Sequence, residues 1–205
     1  MTHAITPKKT ISLAVLALLM VICSIRPLDC FAYGLHQVGT LIMLVALYVL
    51  NKRLRLSELA FMGYVAFLGI HVVASHYLYS YVPYDEWLSV VGVNINETFG
   101  FKRNMFDRLV HFCYGLLLYG MMFDGLGRYF GVSRAKTHLI AVGFVMASSM
   151  VYELIEWAIA MLMSPQTAEQ YNGQQGDIWD AHADMALASL GSLVAVLLMS
   201  IKHKP

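Results

Sequence analysis

GDIWDAHADMALASLGSLVAVLLMSI, residues 176–201, opens with Asp177, Asp180, His182 and Asp184 and then turns almost wholly apolar or small to its end. The apolar part, 183–201, is one membrane crossing long, since about 20 such residues in a helix match a hydrocarbon layer of ~30 Å. Carboxylates on the first turns of a helix entering lipid need a partner, because an isolated charge there is costly. The stretch therefore raises two questions together: how many such helices the chain builds, and what faces these acids.

Working outward, five more apolar runs precede it, at about 10–25, 32–50, 59–79, 109–127 and 138–162. They read as helices because lipid offers backbone amides no partner outside the helix, and the alternation of a transmembrane barrel is absent. The expected fold is all-α: a polytopic membrane helical bundle of about six transmembrane helices, formed as a single integral membrane domain over 1–205. Of the 205 residues 59% are hydrophobic and 13% charged, which excludes an ordinary soluble class. Lys8 and Lys9 before ISLAVLALLMV resemble a secretion signal, but no small-residue cleavage pattern follows, so an uncleaved first span is expected. The formal charge of +1 gives no nucleic-acid footprint, and Cys23, Cys30 and Cys113 lack the spacing of a zinc knuckle or a disulfide framework.

Lys and Arg accumulate in short cytoplasmic segments. Lys8, Lys9, Lys52, Arg53, Arg55, Arg128, Arg134, Lys136, Lys202 and Lys204 fall on one side, against Arg26, Lys102, Arg103 and Arg108 on the other. Both termini are thus expected in the cytoplasm, with the acidic cluster near the periplasmic face. The outer segment 81–108, which contains VGVNINETFGFKRNMFDR, has the Gly and Asn content of a structured cap or re-entrant segment.

Asp107 and His111, four apart, share a helical face, as do Glu153 and Glu156, three apart in YELIEW. Asp177, Asp180 and Asp184 form a third column, and His76 ends the third span. Carboxylates gathered at low dielectric need protons, basic side chains or a metal ion. Ligands of His and carboxylate without thiolate suit a divalent metal, although neither HExxH nor the ExxH pairs of di-iron bundles occur. The expected metal ligands are His76, His111, Asp180 and Asp184, with Glu153, Glu156 and Asp107 as catalytic carboxylates. Lys102, Arg103 and Arg108 are expected to hold an anionic group. Simpler roles compete: Asp107 as a helix cap, His111 and His71 as packing histidines, the basic residues as ion-pair partners, and His182 pointing away.

DRLVHFCYG at 107–115, YELIEW at 152–157 and GDIWDAHADM at 176–185 closely resemble the YjdF family of bacterial inner-membrane proteins, over nearly the whole chain. That resemblance implies the inner membrane of a Gram-negative cell. A fainter one is to the VanZ-like family, carried by Asp107, Arg108, His111 and Phe112, then Glu153, then Asp180, Asp184 and Gly191. The chain departs from that family's pattern at Glu156, where Gln is usual, and at Asp184, where Asn is. It implies a similar helical scaffold. The expected function is an envelope-facing, metal-dependent intramembrane enzyme acting on a lipid-linked or amphipathic anionic substrate among the membrane lipids. Ion or small-solute transport, or a non-catalytic structural or partner-binding role, are the alternatives.

Overall fold

The computed structural model describes residues 5–201, so Lys202 and Lys204, which contribute to the expected orientation, lie outside the described residues. The six long helices are α1 (Pro7–Cys23), α2 (Cys30–Leu54), α3 (Glu58–His76), then α6 (Phe106–Phe130), α7 (Arg134–Leu162) and α9 (Asp180–Ile201). Short helices α4 (Tyr84–Ser89), α5 (Ile95–Phe99) and α8 (Pro165–Asn172) lie in the connections. Among the described residues, five of these, α2, α3, α6, α7 and α9, are long and apolar enough to cross a membrane. The chain is an all-α polytopic membrane bundle. The first expected span corresponds to α1, whose 17 residues give about 26 Å, a little short of the hydrocarbon thickness.

Local chemistry sets most of the boundaries. Asp29 accepts from the Ala32 amide at 2.8 Å to start α2, and Ser57 accepts from Ala60 at 3.2 Å to start α3. Gly131, at φ 59°, closes α6 in the left-handed conformation that costs a glycine little. The third span ends at His76, three residues before the expected Tyr79, because Leu78 and Tyr79 adopt positive φ and turn the chain back.

The acidic ends of α6 and α9 come together because these two helices run parallel in close backbone contact. A Cβ on Gly115 would strike the Ala188 carbonyl, and one on Gly191 would strike the Phe112 carbonyl. Such approach through small residues is how helices associate where lipid supplies no hydrophobic drive. Fully buried Ala188 and Ser192 extend the seam. α7 runs antiparallel to both, so its C-terminal half meets their N-terminal turns.

Segment 81–108 is ordered by its own hydrogen bonds. Asp85 accepts from the Ile95 amide at 2.8 Å, and the Tyr84 hydroxyl donates to Asn96 at 2.6 Å while accepting from the Met105 amide at 3.0 Å. Asn104 donates to the Val82 carbonyl at 2.8 Å. These bonds deliver Arg103 and the start of α6 to the mouth of the bundle.

Candidate metal centre

α6 begins without a side-chain cap, so Asp107, in its first turn and 5% exposed, is not used as one. Its carboxylate lies 3.7 Å from His111 Nε2, one turn along the same face. From α9, Asp184 Oδ2 lies 3.9 Å from the same nitrogen, and from α7, Glu153 Oε1 lies 3.7 Å from His111 Nδ1. One ligand atom each from Asp107, His111 and Asp184 can be chosen so that all lie within 4.8 Å of one another. Donors around a zinc-sized ion stand roughly 3–3.5 Å apart, so the three side chains would have to draw together to supply three ligands of such a shell.

Two carboxylate oxygens in this group receive no hydrogen bond. Asp184 Oδ1 and Glu153 Oε1 are buried without a hydrogen bond, on residues only 1% and 8% exposed. A buried carboxylate oxygen left unpaired is expensive, and a cation or proton would satisfy both. Glu156 adjoins Glu153 and Tyr152, adding a further acid to the group.

The arginines compensate part of this charge from the other side. Arg108, 6% exposed, sets Nη1 2.5 Å from Asp184 Oδ2 and donates from Nη2 to Asp180 Oδ1 at 2.8 Å and Asp177 Oδ2 at 2.9 Å. Arg103 donates to Asp180 Oδ1 at 2.7 Å and to the Gln174 carbonyl at 2.9 Å. The Trp179 amide, followed by Arg108, holds the Asp177 carboxyl below the usual carboxylate range.

These contacts place the expected site residues as follows. Asp180 pairs with both guanidinium groups and is outside the group of ligand atoms that converge, while Asp107, expected as a catalytic carboxylate, is in that group with His111 and Asp184. Arg103 and Arg108 are engaged by aspartates, although Arg103 Nε is buried without a hydrogen bond, and Lys102 is exposed. His76 is remote from the trio in its contacts: its Nδ1 bonds the Cys23 carbonyl at 2.7 Å, tying α3 to the end of α1. His182 is exposed and packs edge-on against Trp179.

A second buried cluster was not anticipated. His36 on α2 stacks on Tyr171 of α8, with ring centroids 4.5 Å apart, and lies 5.0 Å from the Tyr79 ring. His71 Nε2 meets the Thr40 hydroxyl at 3.0 Å, and its Nδ1 is bonded to the Tyr79 hydroxyl. Burial pushes the Tyr79 phenol well above its ordinary value and that of Tyr171 up to about 12. The available signal was the pair His36 and Thr40, four apart within an apolar run.

The family described as "Predicted membrane protein (DUF2238)" matches residues 9–205. Inner membrane protein YjdF of Escherichia coli (strain K12) is 31% identical over 189 residues, covering 92% of this chain and 87% of that protein. No solved structure matches.

Proposed function

Because the chain belongs to the DUF2238 family of membrane proteins, we propose that this multi-pass inner-membrane protein is a metal-dependent intramembrane enzyme acting on a lipid-linked or amphipathic anionic substrate. The observation carrying this reading is the pair of orphaned oxygens, Asp184 Oδ1 and Glu153 Oε1, beside the buried Asp107, His111 and Asp184 group. A divalent ion held there would polarise a phosphoryl or acyl oxygen. In this reading Glu153 and Glu156 hold or move a proton beside it. Arg103 and Arg108 orient the aspartates and offset part of their charge.

Elemental analysis of the detergent-purified protein tests the reading. Near-stoichiometric divalent metal is expected in the parent, with at least tenfold loss of affinity in His111→Ala and Glu153→Gln variants that remain folded. Metal-free protein, or metal content indifferent to both substitutions, would reject it. Screening phosphorylated and acylated membrane lipids for turnover follows, with Glu153→Gln expected to lose turnover out of proportion to thermal stability.

Two other readings have their own support. The buried histidines and tyrosines beside the acidic group favour passage of an ion or small solute, which predicts proton-driven uptake abolished by Glu153→Gln. The aspartate–arginine network favours a structural role, which predicts equal losses of stability and of any activity on its disruption.

In the proposed orientation α1 completes a sixth crossing, both termini are cytoplasmic, and the acidic group faces the periplasm. The basic-residue distribution supports this arrangement. Reporter fusions after Lys136 and after Gln170 are expected on opposite sides, and the same side for both would overturn it.

A further inference from the structure

At the end of the bundle where α2 and α6 terminate, a cleft of about 460 Å³ is lined by Arg53, Leu54, Arg55, Arg128 and Tyr129. That volume falls in the range of small-molecule sites. Three of its five lining residues carry guanidinium groups, the side chain best matched to phosphate oxygens.

The nearby acids are committed elsewhere. Glu58 pairs with Lys8 at 3.0 Å, and Asp124 accepts from the Ser57 amide at 2.9 Å. Arg128 bonds the carbonyls of Leu54 and Arg55, which offsets the negative end of α2 and fixes its guanidinium in the wall. Among the described residues, Arg53 and Arg55 form no ion pair, so their charge remains available to the cleft. Arg55 also ends α2 at φ 51°, a left-handed position that glycine or asparagine fills at less cost.

The surface leading to the cleft is apolar. Val38, Leu41, Ile42, Val45, Tyr48 and Val49 are exposed along α2 and recur at intervals of three and four, forming one strip that ends at the arginines. Tyr129 and Phe130, 77% and 53% exposed, border the other side. A strip for acyl chains that terminates in cations at a helix end has the two-part chemistry of a phospholipid. A free inorganic anion would use only the second part.

We propose that the Arg53, Arg55 and Arg128 cleft binds the phosphate of an anionic phospholipid headgroup, with its acyl chains along the exposed face of α2. The site is built by the ends of α2 and α6, and it does not depend on the acidic group or on the proposed enzymatic reading. Arg53 and Arg55 hold the phosphate oxygens, while Arg128 shapes the wall against which it sits. Basic pockets between membrane helices recognise anionic headgroups in this way.

The test uses the full chain in detergent, titrated with short-chain phosphatidylglycerol, phosphatidylcholine or inorganic phosphate, and read by lipid adducts in native mass spectrometry and by thermal unfolding. Phosphatidylglycerol is expected to bind at least tenfold more tightly than phosphatidylcholine and to raise the melting temperature selectively. The Arg53→Gln/Arg55→Gln variant should lose roughly tenfold in phosphatidylglycerol affinity while keeping the parent's melting temperature in phosphatidylcholine. Arg26→Gln, which removes an exposed cation outside the cleft, should keep the preference. Equal binding of the two lipids, an unchanged preference in the double variant, or full protection by inorganic phosphate alone would each overturn the proposal. If the double variant does not fold, parent protein labelled by a photoactivatable phosphatidylglycerol should crosslink within 38–55 or 128–130. Crosslinks spread evenly over the apolar surface would overturn it instead.

Discussion

The bundle contains two buried polar clusters that differ in the charge they gather. In the α2–α3–α8 cluster both ring nitrogens of His71 are bonded, to Thr40 and Tyr79, while His36 packs between aromatic rings with its Nε2 buried and unbonded. In the α6–α7–α9 cluster His111 stands 3.7–3.9 Å from three carboxylates, and two carboxylate oxygens have no partner. Both clusters are apolar-core insertions of similar depth in burial, so burial alone does not distinguish them. The distinction is charge: the first is built from imidazoles and hydroxyls and leaves one ring nitrogen unpaired, the second is built from carboxylates and leaves two of their oxygens unpaired. An unpaired neutral ring nitrogen costs less than unpaired carboxylate oxygens, whose charge calls for a cation or a proton.

The largest effect expected from testing that contrast is at Arg108. Its guanidinium faces Asp177, Asp180 and Asp184, and Arg108→Ala would leave the last two as buried carboxylates with only Arg103 nearby. Removing one partner of a buried pair costs about 3–5 kcal/mol, so a steep fall in unfolding free energy in detergent is expected. Arg108→Lys should lose less, because one ammonium replaces part of the charge without the fork. A loss below about 1 kcal/mol in Arg108→Ala would mean that the acids are already neutralised by protons, and the proposed need for a cation in the anionic cluster would weaken accordingly.

A smaller effect is expected in the histidine–tyrosine cluster. His71→Phe keeps the ring volume but leaves the hydroxyls of Thr40 and Tyr79 without their imidazole partner. Stability should fall by about 1–3 kcal/mol, with metal content unchanged. Glu153→Gln is expected to do the reverse, with metal lost and stability altered by less than about 1 kcal/mol, since an amide is nearly isosteric and uncharged. Unfolding curves and elemental analysis on the same samples separate the two. If His71→Phe loses metal as well, the clusters act as one site and the contrast fails.

The reading of the sequence reached different depths in different parts of the molecule. The expected runs correspond to the long helices because apolar length is written locally, and Asp107 with His111 was legible because a four-residue spacing fixes a shared face. Which helices stand beside one another is not local. His76 shares its position at a helix end with the acids, yet the packing of α3 against α1 turns its ring to Cys23. The glycines that bring α6 and α9 into contact, Gly115 and Gly191, decide that Asp184 meets His111, and nothing in either helix alone names the other as partner. Arg103 and Arg108 show the same boundary: a guanidinium at a helix mouth suits a phosphate as well as an aspartate. Only the delivery of Asp180 to both of them selects the aspartate.

The smallest expected effect concerns Asp177, at the partly exposed edge of the anionic cluster. Its folded-state carboxyl is held below the usual range by the Trp179 amide and then by Arg108. A lowered folded value means that the folded protein prefers the carboxylate more than the unfolded chain does. The associated stability is therefore full above the unfolded value of about 3.9 and is lost as pH falls through the folded value below it. Asp177→Asn removes this increment while keeping a side chain that can still accept from the Trp179 amide. The melting temperature of the variant should lie about one or two degrees below that of the parent between pH 5 and 7, the scale of a screened pair. The difference should narrow toward zero as the solution is acidified past the unfolded value. A gap that widens in acid would reverse the sign and show that Asp177 is held in its protonated form, which would place it with the uncompensated carboxylates of the cluster instead of at its ion-paired rim.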